Sequence, residues 1–289
     1  MSNKKELLEN IKKLREVTGV GFKDCKLAID ENGGDLEKSI EFLRKKGIAK
    51  ASKKMSRVAS EGLVLAHEND GEVSIIEINS ETDFVAKNKD FISFSKEISE
   101  INFKNKGNLE KIKDSNMKNN MSVNDNLTDL ISKIGEKITL RRANYFDKKE
   151  GNNFYYVHGA LEKNIGKIIS VVKIKNIVKG KNEDAGNKLA MHVAASSPLA
   201  IDKNGLKKEV LEKELEIIKA ELLNSGKKKE MIEKISQGKL NKFISDNTLL
   251  NQIWIMDPKK KVLDILKENS INSELKILDF IRYKVGEGV

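Results

Sequence analysis

Apolar side chains recur at helical spacing through the first fifty residues and close to alternately after residue 58. That change of period is the first division of the chain. Leu7, Leu8, Ile11 and Leu14 fall on one helical face, and Thr18-Gly19-Val20-Gly21 interrupts it. Asp24 to Asp30 predicts a second helix with Cys25, Ala28 and Ile29 inward, closed by Asn32-Gly33-Gly34. Asp35 is a suitable N-cap for a third helix, whose apolar positions are Leu36, Ile40, Phe42 and Leu43, and Gly47 is the expected stop. Residues 48–54 then read as a polar helical linker.

The runs Glu61 to Ala66 and Val73 to Asn79 have strand character, and the Asp70-Gly71 pair between them is a strong hairpin signal. A helix is expected over Asp90 to Ile98. Residues 104–124, rich in Lys and Asn, show little period and read as a loop or a poorly ordered helix. Leu127 to Ile134 is helical again, and Ile138 to Ala143 is a strand. Tyr155 to Leu161 predicts a strand turned at Asn164-Ile165-Gly166 and paired with Lys167 to Ile174, before a helix over Asp184 to Ala195. The order hairpin, loop, helix thus occurs twice. Leu211, Leu215, Ile218 and Leu222 form a coiled-coil seam. The chain turns at Asn224-Ser225-Gly226, and Met231, Ile232, Ile235, Leu240 and Phe243 return. So narrow a seam suits a projecting arm. A helix over Val262 to Glu268 and a strand over Ile277 to Val285 close the chain.

The expected fold class is α+β. Residues 1–55 form a small three-helix domain and linker. Residues 56–143 form a first core subdomain. Residues 144–289 form a second, similar one that includes a helical hairpin over 206–245.

Composition narrows the class. The chain has 289 residues, 38% hydrophobic and 34% charged, with 2 Pro and 19 Gly, which suits a helix-rich globular protein. A net charge of +10 raises nucleic acid or an acidic protein as partners. Lys is nevertheless scattered among Glu and Asp, the strongest clusters being Lys227-Lys228-Lys229 and Lys259-Lys260-Lys261. No arginine-rich stripe with interleaved aromatics appears, so a solvated basic surface is the better reading and direct nucleic-acid binding is not expected. One cysteine fits a reducing compartment. The N-terminus lacks an apolar run of signal-peptide length, and no stretch nears the roughly 20 apolar residues of a membrane helix. A cytoplasmic protein without membrane association is expected.

Candidate chemistry is sparse. There is no phosphate-binding GxxxxGK(S/T) loop, and Gly19-Val20-Gly21 is a helix break, not a dinucleotide fingerprint. Cys25 lies on an apolar helix face with no His near it in sequence, as a packed small hydrophobe would. His67, His158 and His192 lack metal-ligand spacing and each reads, by itself, as surface or satisfied core. No enzyme active site, metal site or cofactor site is expected.

One run stands apart. Thr82-Asp83-Phe84-Val85-Ala86-Lys87-Asn88 joins a strand to a helix, where flanking elements fix a loop for presentation to a partner. By composition it reads two ways: Phe84 and Val85 plug the core with Asp83 capping the helix below, or the turn presents an acid beside an aromatic. The run resembles the signature of the bacterial elongation factor Ts family, the nucleotide-exchange factors of elongation factor Tu. The resemblance extends to Leu14 through Gly21, to Asp24-Cys25-Lys26, to His158-Gly159-Ala160, to Met191 through Ala195 and to Ile281 through Gly288.

The resemblance implies that the three-helix domain is ubiquitin-associated-like and that elongation factor Tu·GDP is the partner. It also implies that Asp83 and Phe84 intrude beside the partner's Mg²⁺ and phosphate site in translation elongation. Arg15 and Phe22 would grip a second surface of the GTPase, and His158 and His192, the latter with its segment, would hold further contacts. Lys23 departs from the second apolar residue many members carry beside Phe22. The closing strand is followed at once by Val289, so the helical C-terminal extension of some members is expected to be missing. The arm is a candidate for self-association or for another partner. Two rival classes remain on the residues alone: a basic RNA- or ribosome-binding protein, and a peptide adaptor acting through residues 1–50.

Overall fold

A computed structural model describes residues 2–18, 20–225 and 229–289. Met1, Gly19 of the first helix break, Gly226 of the expected arm turn, and Lys227 and Lys228 of the first lysine cluster lie outside the described residues.

Helices α1 (Ser2–Thr18), α2 (Phe22–Glu31) and α3 (Leu36–Lys54) pack around Ile11, Leu14, Cys25, Ala28, Ile29 and Leu43. The Asp35 carboxylate accepts from the Lys38 N–H at 3.0 Å, the capping role its position predicts. Gly47 does not end the third helix, which runs without a break to Lys54. A Cβ at Gly47 would lie 3.3 Å from Ser132 Oγ on α7 (Val123–Ile134), so glycine here lets two helices approach. Arg44 on α3 pairs with Asp125 on α7 at 2.8 Å, fastening the same contact.

Strands β1 (Glu61–Asn69) and β2 (Glu72–Ser80) form the expected hairpin, with Asp70 and Gly71 both at positive φ. β3 (Ile138–Phe146) pairs on the far side of β2. A second sheet is ordered β4 (Asn152–His158), β6 (Ile168–Lys175), β7 (Lys276–Lys284), all antiparallel. Ile165 and Gly166 are not a turn within the second hairpin. They form a short strand, β5, that crosses to the first sheet and pairs with Val64 and Leu65 of β1. Ile165 is nearly fully buried in the first sheet's core, which drives that crossing.

The sheets stack face to face between helices, giving four layers. Helix α5 (Lys89–Lys104) covers the outer face of the first sheet, where Phe91, Phe94, Ile98 and Ile101 meet Leu63, Leu65, Ile76 and Ile78. Val64, Ala66, Val73 and Ile75 turn the other way, onto Ile169, Val171 and Tyr283 of the second sheet. Helix α8 (Glu183–Ser196) covers the far face through Leu189, Ala190 and Val193 on Val172 and Ile174. Strand β2 therefore sits between two layers and is buried from Val73 to Ser80, polar residues included. The two hairpin-plus-helix units also share an irregularity: register slips between Glu77 and Ile78 on β2–β3, and between Lys173 and Ile174 on β6–β7.

Glu77 carries a fully buried carboxylate between the sheets. It accepts from Arg141 Nη1 at 2.9 Å, Arg142 Nε at 2.6 Å, Asn79 Nδ2 at 3.0 Å and the Gly286 N–H at 2.9 Å. Burial alone would raise this carboxyl, but those donors outweigh it and hold it below the usual carboxylate range. Arg142 also lies over the Tyr283 ring at 4.2 Å and donates to the Lys284 carbonyl at 3.1 Å, so the segment 283–286 is tied to the first sheet by the acid and its arginines together.

Residues 104–124 are structured, not a loose loop. Asn108 caps α6 (Leu109–Asp114), Ser122 caps α7, and Ile112 and Met117 are buried. The arm is α9 (Lys208–Asn224) and α10 (Lys229–Asn247), packed chiefly on each other through Ile218, Leu222 and Ile232. At its base Leu206 and Ile244 join Ala200, and α11 (Val262–Glu268) returns the chain to the α8 layer. Among the described residues no helix is long and apolar enough to cross a membrane.

Candidate functional site

Beyond β2 the backbone makes one helical turn, α4 (Asp83–Ala86), before α5 begins at Lys89. Thr82 stands at the N-cap with extended backbone, φ −126° and ψ 158°. Its hydroxyl does not cap the turn. It donates to Glu136 Oε1 at 2.7 Å, while the Thr82 N–H donates to Glu136 Oε2 at 3.0 Å. The neighbouring acid answers in the opposite sense: Glu81 Oε1 accepts from the Lys137 N–H at 2.6 Å, and its Oε2 pairs with Arg57 at 3.3 Å. Two chain segments thus exchange carboxylates across the foot of the turn.

Within α4, Val85 and Ala86 face the core at 6% and 1% exposure, and Phe84 is 80% exposed. An aromatic ring left in water on an ordered turn is not explained by packing, since burial is what a phenyl ring ordinarily contributes. The first of the two readings of this run therefore fails for Phe84 and holds for Val85. Asp83 does not cap the helix below; Asn88 does, accepting from the Asp90 and Phe91 N–H groups at 2.8 and 3.3 Å. The Asp83 carboxylate instead pairs with Lys87 one turn on, at 2.9 Å. The Lys87 hydrogen bond, with its charge, holds Asp83 below the usual carboxylate range and keeps it ionised. The turn therefore presents a charged acid and a bare ring side by side.

On the bundle, Arg15 is exposed near the end of α1 and Phe22 is 46% exposed at the start of α2. Both flank the α1–α2 connection, with Lys23 exposed beside them. His158 is exposed at the end of β4. It lines a depression of about 470 Å³ with Tyr156, Met191, Ala194 and Met256.

His192 is not at that surface. Its side chain is fully buried, which corrects the expectation that it touches a partner directly. Gln252 Nε2 donates to the Ser196 and Asp246 carbonyls, leaving its Oε1 to accept from His192 Nε2 at 3.1 Å. His192 Nδ1 accepts from the Ile255 N–H at 3.4 Å, and the ring stacks on Trp254 at 5.1 Å. Burial lowers its pKa, with the Gln252 bond opposing, so the neutral ring is a positioning group for the Gln252–Ile255 segment. Cys25 is fully buried with its thiol on the Val20 carbonyl, and burial pushes its pKa up, away from reactivity.

Sequence patterns did not single out Glu136, because its partner lies 54 positions away. Glu77 was equally hidden, although acid and Arg141-Arg142 in strands otherwise rich in apolar residues were a usable signal.

The family model described as Elongation factor TS matches residues 81–287. The chain is 40% identical over 282 residues to elongation factor Ts of Nitrobacter hamburgensis, covering 96% of this chain and 92% of that protein. It is 38% identical over 283 residues to elongation factor Ts of Rickettsia felis, covering 96% and 91%. Elongation factor Ts of Rickettsia prowazekii is 40% identical over 284 residues, with the same coverage. With likeness along nearly its whole length, the chain belongs to the elongation factor Ts family and is a translation elongation factor.

Proposed function

We propose that the chain is a guanine-nucleotide exchange factor that binds elongation factor Tu carrying GDP and promotes GDP release. The observation that carries this reading is Phe84, 80% exposed on a turn whose next two residues are buried. Tight nucleotide binding by a GTPase rests on Mg²⁺ bridging phosphate oxygens and on a backbone cradle around them. A phenyl ring entering beside that site displaces the elements packed there, and the Asp83 carboxylate competes for the groups that hold the ion. Thr82, Val85, Ala86, Lys87 and Asn88 shape the turn. Arg15 and Phe22 grip a second surface of the GTPase, and His158 with its apolar depression takes a third.

No bond is made or broken by this chain, and the process is one of linked binding. A factor that weakens GDP binding by some ratio is itself weakened by GDP in the same ratio, so it leaves when nucleotide rebinds. In this reading residues 1–55, 56–143 and 144–289 are the units that divide the work, and the 206–245 hairpin is free for self-association. The setting is the cytoplasm.

The test is release of a fluorescent GDP analogue from elongation factor Tu in Mg²⁺ buffer. The native chain accelerates release strongly, and Asp83→Ala/Phe84→Ala abolishes most of that acceleration. No acceleration by the native chain ends the reading. Equal acceleration by both leaves the function but moves its site.

A further inference from the structure

We propose that Glu136 is a positioning residue for Phe84, and that the α7–β3 connection it belongs to is the support against which the exchange turn is set. The proposal rests on the exchange reading above and deepens it. Glu136 takes both donors of Thr82, the residue immediately before α4, with its two carboxylate oxygens at 3.0 and 2.7 Å. A bidentate grip fixes the rotation of a peptide unit as well as its place, because both donors must line up at once. Thr82 is thereby held extended, and the direction in which α4 leaves β2 is set.

The same connection grips the turn from its other side. Lys133, at the end of α7, pairs with Asp90 in the first turn of α5 at 2.9 Å. Lys137, just past Glu136, donates its N–H to Glu81 and its Nζ to the Arg57 carbonyl at 2.7 Å. Lys54, the last residue of α3, donates to the Gly135 carbonyl. Residues 133–137 thus touch the chain before the turn, the chain after it, and the helix that carries the N-terminal bundle. Phe84 itself has little packing to hold it, so its position relative to the bundle is inherited from these contacts. A ring that must enter a narrow site while the bundle grips elsewhere gains from such pre-orientation.

The experiment compares the native chain with Glu136→Ala and Glu136→Gln in full-length protein. The readouts are the maximal rate of GDP release, the concentration of factor at half-maximal rate, and hydrogen exchange of the Thr82 amide. Glu136→Ala is expected to lower the maximal rate about tenfold while the half-maximal concentration moves less than about twofold, since the binding surfaces stay and only the entering group is loosened. Glu136→Gln is expected to recover most of the rate, because its amide oxygen still accepts from the Thr82 N–H and its amide nitrogen can donate to the hydroxyl. Adding Glu136→Ala to Phe84→Ala should cost little more, as expected of a residue that acts through the ring already removed.

An unchanged rate in Glu136→Ala overturns the proposal. So does a loss of rate matched by loss of affinity and of thermal stability, which would make the clamp merely structural. The Thr82 amide reads the clamp without any partner: faster exchange in Glu136→Ala is expected whether or not the native chain releases GDP, and undiminished protection overturns the proposal alone.

Discussion

Phe84 and Val85 are adjacent in sequence and opposite in environment, 80% and 6% exposed on one turn of helix. Adjacent helical positions diverge by about 100°, so a single turn can bury one residue and present the next. The separation makes the two residues independently testable. Phe84→Ala should leave the stability of the free chain within about 0.5 kcal/mol, as for other exposed substitutions. Val85→Ala should cost about 2 kcal/mol by removing buried methyl groups. Urea unfolding of both variants checks the contrast, and GDP release should fall for Phe84→Ala despite its unchanged midpoint.

His192 predicts a pH dependence with a definite sign. Its folded pKa lies below the ordinary 6.5, so as pH falls the unfolded chain takes up the proton first. The stability it contributes is complete above about pH 6.5 and is lost as pH falls from there toward the folded pKa. Urea midpoints between pH 7.5 and 5.5 should therefore decline in the native chain, with a slope of up to about 1.4 kcal/mol per pH unit from this group. His192→Gln, unable to titrate, should show a flatter profile over the same interval.

Glu77 is the acid through which two arginines and the chain end meet. Glu77→Gln leaves Arg141 and Arg142 beside a neutral group, and breaking a buried ionic cluster from one side costs about 3 kcal/mol. The loss should appear as lowered thermal stability, with increased hydrogen exchange at the Gly286 amide, which donates to the same carboxylate.

Gly286 has φ +73°, and a Cβ there would sit 2.0 Å from the Ser60 carbonyl oxygen. Both the left-handed backbone and the clash oppose any side chain. Gly286→Ala should destabilise the protein by about 2 kcal/mol or more, measured by denaturant unfolding. Gly288→Ala, whose Cβ would meet only the flexible end of Arg141 at 3.7 Å, should keep the backbone strain but not the clash, and cost less.

The elements easiest to read from sequence were those whose cause is local. Asp70-Gly71 announced its own turn, the 4-3-4 spacing of Leu211, Leu215, Ile218 and Leu222 announced the arm, and Asp35 announced a helix start. The errors share a different origin. Gly47 reads locally as a stop, yet its lack of a side chain is used by Ser132 on another helix. Ile165 reads as part of a turn, yet its burial belongs to the opposite sheet. Asn108 and Ser122 look like loop residues and are helix caps. In β2, Glu77 is an acid in a strand and is nonetheless fully buried beneath a second sheet. The candidate site divides in the same way: the exposed ring lies within a recognisable run of residues, whereas the carboxylate that grips its base and the enclosure of His192 are products of distant packing.

The unbroken course of α3 through Gly47 gives the joint between bundle and core the character of a geared shaft. Along such a helix each residue sets an angle of about 100° and an advance of about 1.5 Å, so a single insertion between Gly47 and Lys54 would swing the whole bundle to another side of the molecule. Seven residues, close to two full turns, would return it to nearly its original heading about 10 Å farther out. Changes of length at this joint are therefore governed by phase, and a lineage could lengthen it only in steps that complete the circle.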